Sequence, residues 1–164
     1  MKILILLLNF AVLSHILMGQ DNIYSPARFG RAATPADEDK IIELMDDYSM
    51  GWMMENAGMV ASTYTENGTF VNSDPTVKYG RENIEEYLDT FFKENTIREQ
   101  TSGGRISFRY IEDNVVVYHS FTRGTPDSSD TENSYPETHS TFVLHKTKEE
   151  GWKIVHHMII DIKN

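Results

Sequence analysis

The chain has 164 residues, no cysteine and a formal net charge of −10. That length carries one domain whose core needs no covalent staple. The missing cysteine excludes disulfides, thiolate metal sites, cysteine nucleophiles and a lipidated cysteine anchor, while leaving the compartment open, since exported proteins can do without disulfides. The acidic balance, with no basic stripe, makes phosphate-backbone binding start from repulsion, so no nucleic-acid partner is expected.

Met1-Lys2 gives a positive start, Ile3 to Met18 is apolar except for Asn9, Ser14 and His15, and Gly19-Gln20-Asp21 gives a small residue and a polar exit. This is the order of a secretory signal peptide, so residues 1–20 are expected to be removed and the protein exported, periplasmic or secreted. A retained anchor is the alternative; the stretch is shorter and more interrupted than a span of roughly 20 residues. Loss of Lys2 takes the 15 basic residues to 14 against 25 acidic ones, a net charge near −11. Residues 21–36, with Pro26 and Pro35 and no periodicity, read as a linker or arm, and residues 37–164 as the folded domain.

Asp37-Glu38-Asp39 places carboxylates at a helix start. Ile41, Ile42, Leu44, Met45, Tyr48, Trp52 and Met53 then recur at helical spacing. Asn56-Ala57-Gly58 interrupts, and a short second helix has Met59, Val60, Thr63 and Tyr64 on its apolar side. Asn67-Gly68 signals a turn before a short strand, Thr69-Phe70-Val71, and Ser73-Asp74-Pro75 turns into Val77-Lys78-Tyr79. Gly80 to Asn83 opens a third helix with Ile84, Tyr87, Leu88, Phe91 and Phe92 on one side. Gly103-Gly104 precedes strands at 105–111 and 115–122 around an Asp113-Asn114 hairpin turn. Residues 124–135 read as a polar loop, and strands at 139–146 and 152–160 close the chain. Helices first and strands last argue an α+β domain with helices on one face of a bent, mainly antiparallel sheet.

Three landmarks carry a family resemblance. They are Tyr48 and Trp52 on a helix followed by 64-Tyr-Thr-Glu-Asn-Gly-Thr-Phe-Val-71, then 79-Tyr-Gly-Arg-Glu-Asn-Ile-84, and finally the pair of strands Glu137 to His145 and Gly151 to His157. In this order and separation they resemble the nuclear transport factor 2-like superfamily over about residues 37–161, nearest its SnoaL-like branch and the association domain of calcium/calmodulin-dependent kinase. The resemblance implies a cone-shaped, cystatin-like fold around a pocket, and a homodimer through the outer sheet face. It does not fix function, because this fold hosts isomerases, cyclases, dehydratases, transport factors and oligomerisation modules.

Ketosteroid isomerase, a relative on this fold, uses a carboxylate base with an oxyanion hole of tyrosine and protonated aspartic acid. By the landmarks the tyrosine falls at Tyr48, the base at Asn72 and the second acid near Phe142. Neither Asn72 nor Phe142 can do its part, so that mechanism is not expected. Asp74, two residues beyond Asn72, could reach into the cone mouth and act there, but with Pro75 next to it the preferred reading is a turn residue bonding local backbone. Strand alternation puts Trp152, Ile154, His156 and Met158 on one face and Lys153, Val155, His157 and Ile159 on the other. The resemblance implies that the first face is concave, which makes His156 an acid–base or ligand-bonding candidate, with Tyr48 as donor, and puts His157 at the dimer interface. Trp52, Tyr64, Phe70, Asn72, Tyr87, Phe91, Phe142, Trp152 and Met158 are then expected to line a mostly apolar pocket for a small hydrophobic or aromatic ligand.

The face of His119 stays open; pointing inward it would lie on the order of 10 Å from His156, and His139 and His145 are roughly 20 Å apart along their strand. No metal or cofactor is expected, since no ligand set, calcium loop, nucleophile elbow or phosphate loop appears. Arg105 is read as a strand-end surface residue. A ligand-binding domain is the leading reading. A lyase, isomerase or cyclase acting on a hydrophobic carbonyl compound and a non-catalytic oligomerisation module are the others.

Overall fold

The structure, a computed structural model, describes residues 26–31, 34–74, 76–95, 100–124 and 137–162. The expected signal segment 1–20 and most of the 124–135 loop lie outside the described residues. Within them no helix is long and apolar enough to cross a membrane.

Strand β1 (Ala27–Gly30) forms in what reads as a linker and pairs parallel with β4 (Gln100–Glu112). Arg28 bonds Glu38, and the Arg109 guanidinium covers the Phe29 ring at 4.6 Å. Sequence periodicity could not show this strand, because all four of its residues are exposed.

Helix α1 (Pro35–Met53) starts two residues earlier than the carboxylates suggest, capped by Thr34, whose hydroxyl accepts from the Asp37 N–H at 3.2 Å. Ile41, Leu44, Met45 and Tyr48 form its buried stripe. Helix α2 (Ala57–Ser62) is capped by Asn56, which accepts from the Met59 N–H at 2.9 Å. Tyr64 belongs to the next strand, β2 (Tyr64–Val71), which runs on through Asn67-Gly68; the pairing shifts register between Tyr64 and Thr69, so the turn signal marks an irregularity instead of a chain reversal. After β3 (Val77–Tyr79), helix α3 (Arg81–Glu94) buries Ile84, Leu88 and Phe92.

β4, β5 (Val115–Gly124), β6 (Glu137–Thr147) and β7 (Gly151–Ile162) are longer than their apolar cores suggest, and Gly103-Gly104 lies within β4. Among the described residues the sheet order is β1-β4-β5-β6-β7-β2-β3, with only the β1–β4 and β2–β7 pairs parallel. Phe108, Tyr110, Val116, Tyr118, Phe142, Leu144, Trp152 and Ile154 pack from the sheet against the helix stripes in one core. At roughly 1.5–3 kcal/mol per buried large side chain, that core dominates the stability of the domain. The candidate site lies inside it.

Candidate functional site

Two buried tyrosine hydroxyls meet on one imidazole. α1 brings Tyr48, β2 brings Tyr64 and Phe70, β6 brings Phe142 and β7 brings His157. His157 is 0% exposed. Its Nδ1 lies 2.9 Å from the Tyr64 hydroxyl and 3.3 Å from that of Tyr48. The ring stacks on Phe142 with centroids 3.9 Å apart and planes 8° apart, and meets Tyr48 and Phe70 edge-on at 5.3 and 5.4 Å.

A β-bulge decides which histidine is inside. Leu144 pairs with Ile154, but its neighbour Val143 pairs with His156, so Val155 is one residue too many on β7. One extra residue flips every side chain beyond it to the other face. Trp152 and Ile154 keep the inner face as expected, but His157 and Ile159 continue it. His156 therefore turns outward and Met158 is 39% exposed. The expected inward positions of His156 and Met158, and the expected interface position of His157, are all reversed by this residue.

Around His157 the aromatic candidates do come together. Tyr48 meets Trp52 at 6.3 Å, Trp52 meets Phe91 and Phe92 at 6.0 and 5.1 Å, and Tyr87 joins Phe91 to Phe70 at 5.9 and 5.8 Å. Asn72 sits at the rim and donates to the Tyr87 hydroxyl at 2.9 Å. Trp152 is elsewhere: its indole donates to Asp37 at the start of α1, five residues, or about 17 Å, along β7 from His157. Asp74 accepts from the Thr76 N–H at 2.8 Å, a turn contact. His119 faces outward beside His139, with 3.1 Å between Nε2 and Nδ1, and Arg105 pairs with Asp46 at 2.8 Å. Among the described residues no group of three or more His, Asp or Glu is placed to hold a metal.

Burial, and to a smaller extent the nearby His156 charge, holds the His157 pKa well below the ordinary value of 6.5. Burial likewise raises the Tyr48 and Tyr64 hydroxyls. All three are neutral at pH 7. The Tyr48 hydroxyl, expected to serve a ligand, is turned to His157 instead. Two buried polar atoms have no hydrogen-bond partner among the described residues, His157 Nε2 and Trp52 Nε1. The indole N–H lies near enough to the Tyr48 oxygen to favour its ionised form, yet makes no hydrogen bond of normal geometry.

Comparison with solved structures gives the fold a context. A ketosteroid isomerase-like protein of Erwinia carotovora atroseptica superposes with a TM-score of 0.67 at 15% identity, over 80% of this chain and 100% of that one. A putative calcium/calmodulin-dependent protein kinase II association domain of Xanthomonas campestris gives 0.57 at 22% identity, over 86% and 97%. A putative aromatic ring hydroxylase of Novosphingobium aromaticivorans gives 0.60 at 17% identity, over 81% and 94%. These likenesses, with others described as cystatin-like or NTF2-like, establish the α+β cystatin-like fold and no activity. No curated protein matches the sequence. The SnoaL-like domain family matches residues 41–159, from the buried stripe of α1 to the last inward residue of the bulged strand. Fold, landmarks and match agree: the chain belongs to the SnoaL-like domain family.

Proposed function

We propose that this is an exported small-molecule-binding protein that holds a small, mostly apolar compound against His157, between α1, α3 and the sheet. One observation carries the reading: a neutral, fully buried imidazole, tethered by two tyrosines, stands inside a shell of aromatic rings. Apolar walls with a few fixed polar groups are the make-up of a ligand site. The ketosteroid isomerase-like and hydroxylase-like neighbours favour a catalytic variant of the same reading, a lyase, isomerase or cyclase acting on a hydrophobic carbonyl compound. Binding is preferred because acid–base work needs a free lone pair, and the Nδ1 of His157 faces two hydroxyls.

Export rests on the signal-like order of residues 1–20. Sequencing the N-terminus of the exported protein should find a start near Gln20 or Asp21. The outer sheet face, with Val117, Val143, Met158 and Ile160 uncovered by any described helix, supports a homodimer.

The binding reading is tested by thermal shift of residues 21–164 against flat apolar compounds. A ligand at a hundredfold its Kd adds about 2.7 kcal/mol. A shift that disappears in Phe91→Asp, which puts a charge into the shell, is the expected result; a shift unchanged by it locates binding elsewhere.

A further inference from the structure

Four histidines share one surface. Of the five among the described residues, His157 alone faces inward; His119 from β5, His139 and His145 from β6 and His156 from β7 all face outward on the sheet. Acidic residues show the opposite bias. The chain has 25 of them, yet among the described outward positions of β5, β6 and β7 Glu137 is the only one. Asp161 turns to the other face, where it accepts from Thr138 at 3.0 Å. Val117, Val143, Met158 and Ile160 fill the space between the imidazoles.

The charges facing these rings are already placed. Glu137 accepts from His139 Nε2 at 2.7 Å and pairs with Arg123 at 2.6 Å. That carboxylate fixes the His139 proton on Nε2, so His139 Nδ1 is an acceptor and His119 Nε2 donates to it at 3.1 Å. One added proton enters at His119 Nδ1 and leaves this chain intact; a second would set N–H against N–H. Burial, and then His139, already oppose a charge on His119. His145 Nε2 accepts from the Asn114 side-chain amide at 3.1 Å, and opposite it Lys153 donates to the Ser62 carbonyl. His156 lies between Thr69 and Val143. On β4, Ser107 stands opposite His119, and Arg109 covers the Phe29 ring. Glu112 and Asp113, at the β4–β5 turn, hold Arg31 at 3.3 Å. Glu137 and Arg123 cancel, and Arg109 and Lys153 lie outside the centre, on β4 and at the start of β7. With its rings neutral the centre of the face carries no net charge, and each added proton makes it cationic.

A neutral, apolar face selects neither an acidic nor a basic partner. By strand spacing it measures roughly 800 Å², about the area that one copy gives a stable interface. We infer that the outer face pairs with a second copy of this chain only while its histidines are uncharged, so that acid separates the copies. The inference rests on the homodimer reading above and adds its regulation to it. In a two-fold pair every ring is present twice, and protonation sets like charges against each other among apolar side chains, where water screens them poorly. The sign follows from linkage. Separate chains bind protons that the pair refuses, so association is full above about pH 7 and is lost as pH falls through the ordinary imidazole value near 6.5. One refused proton per chain weakens the pair about tenfold for each chain, about 100-fold in all, between pH 7.5 and 5.5.

Sedimentation equilibrium of the protein of residues 21–164, over a dilution series at pH 7.5 and 5.5, reads the dissociation constant. Salt is held at about 0.15 M, which screens exposed charges more than about 8 Å apart. The Kd should rise about 100-fold or more on acidification and return on neutralisation, with near-UV circular dichroism showing that the chains stay folded. A variant combining His119→Gln, His139→Gln, His145→Gln and His156→Gln should stay paired at both pH values. Should that variant fail to fold, 1H–13C spectra of the wild-type imidazoles decide: the outward rings should take up their protons at lower pH in concentrated than in dilute protein. A Kd that is equal at the two pH values, or lower in acid, overturns the inference and leaves the dimer standing. A weakening that persists in the folded variant overturns it too. Single chains at both pH values remove the dimer, and the inference with it.

Discussion

His157 ties stability to pH because it binds a proton in the unfolded chain that the folded chain refuses. Below the ordinary histidine value near 6.5 the unfolded state holds one proton more than the native state. Stability is therefore full above about pH 7 and is lost as pH falls through 6.5 toward the depressed native value, by up to about 1.4 kcal/mol per pH unit. His119, whose pKa burial and then His139 push down, adds a slope of the same sign. Asp37, Glu38 and Glu137 are held low by Lys146, Arg28 and His139 respectively, so their contributions are lost only at pH values below about 4.5. The window from pH 5.5 to 7.5 isolates the histidines. Urea unfolding at those two pH values should show a drop for the wild type that exceeds the drop for His157→Phe by about 1 kcal/mol; equal drops would mean that His157 titrates like an exposed histidine. At pH 7.5 the same variant should be weaker by about 1–3 kcal/mol, because the Tyr48 and Tyr64 hydroxyls lose their acceptor. Replacing both tyrosines by Phe as well should restore most of that loss.

At the scale of elements, the end of α1 holds two opposite predictions. Glu55 N–H bonds Trp52 C=O at 3.1 Å and Asn56 N–H bonds Gly51 C=O at 2.9 Å, with Glu55 at φ 51°. This is the left-handed helix stop that glycine favours, occupied here by an exposed side chain whose Cβ crowds the backbone. Glu55→Gly should raise stability by about 1 kcal/mol. Gly51 is a helical glycine, where alanine normally gains, but a Cβ there would lie 2.9 Å from the Val60 backbone nitrogen and 2.7 Å from its Cγ2. Gly51→Ala should cost about 1–3 kcal/mol by forcing α2 away from α1. Both are read by thermal unfolding, and a loss in the first or a gain in the second contradicts the geometry.

The same scale explains what the sequence could disclose. α1 and α3 were legible because their stripes repeat every three or four residues against a buried surface, and Trp152 and Ile154 because they lie before the bulge. His157 was not. Both registers of His156 to Ile160 offer apolar side chains, Met158 and Ile160 in one and Ile159 in the other, so hydropathy gives no phase. Only the pairing with β6 reveals the extra Val155. The aromatic shell was readable from composition and the resemblance; the group at its centre required the backbone.

For the whole molecule the bulge also decides what the outer face offers. Without it that face would carry His157 and Ile159; with it, the face carries His156, Met158 and Ile160, the last two 39% and 50% exposed, beside Val143 and Val117. Five strands spaced about 4.8 Å apart and ten residues long at about 3.3 Å each present roughly 800 Å². That matches the roughly 800 Å² that one partner contributes to a stable interface. In the proposed dimer a second copy would meet the same surface, as a two-fold interface requires. Light scattering on a sizing column should therefore give the wild type the mass of two chains. Met158→Lys combined with Ile160→Lys should give the mass of one, since four lysines would face one another across the axis. Met53→Lys, on the opposite side at the end of α1 and 74% exposed, should leave the dimer intact. Because His157 lies on the inner face, the monomeric double variant should still show any ligand-induced thermal shift of the wild type. A wild type with the mass of one chain would remove the dimer and leave the interior site standing.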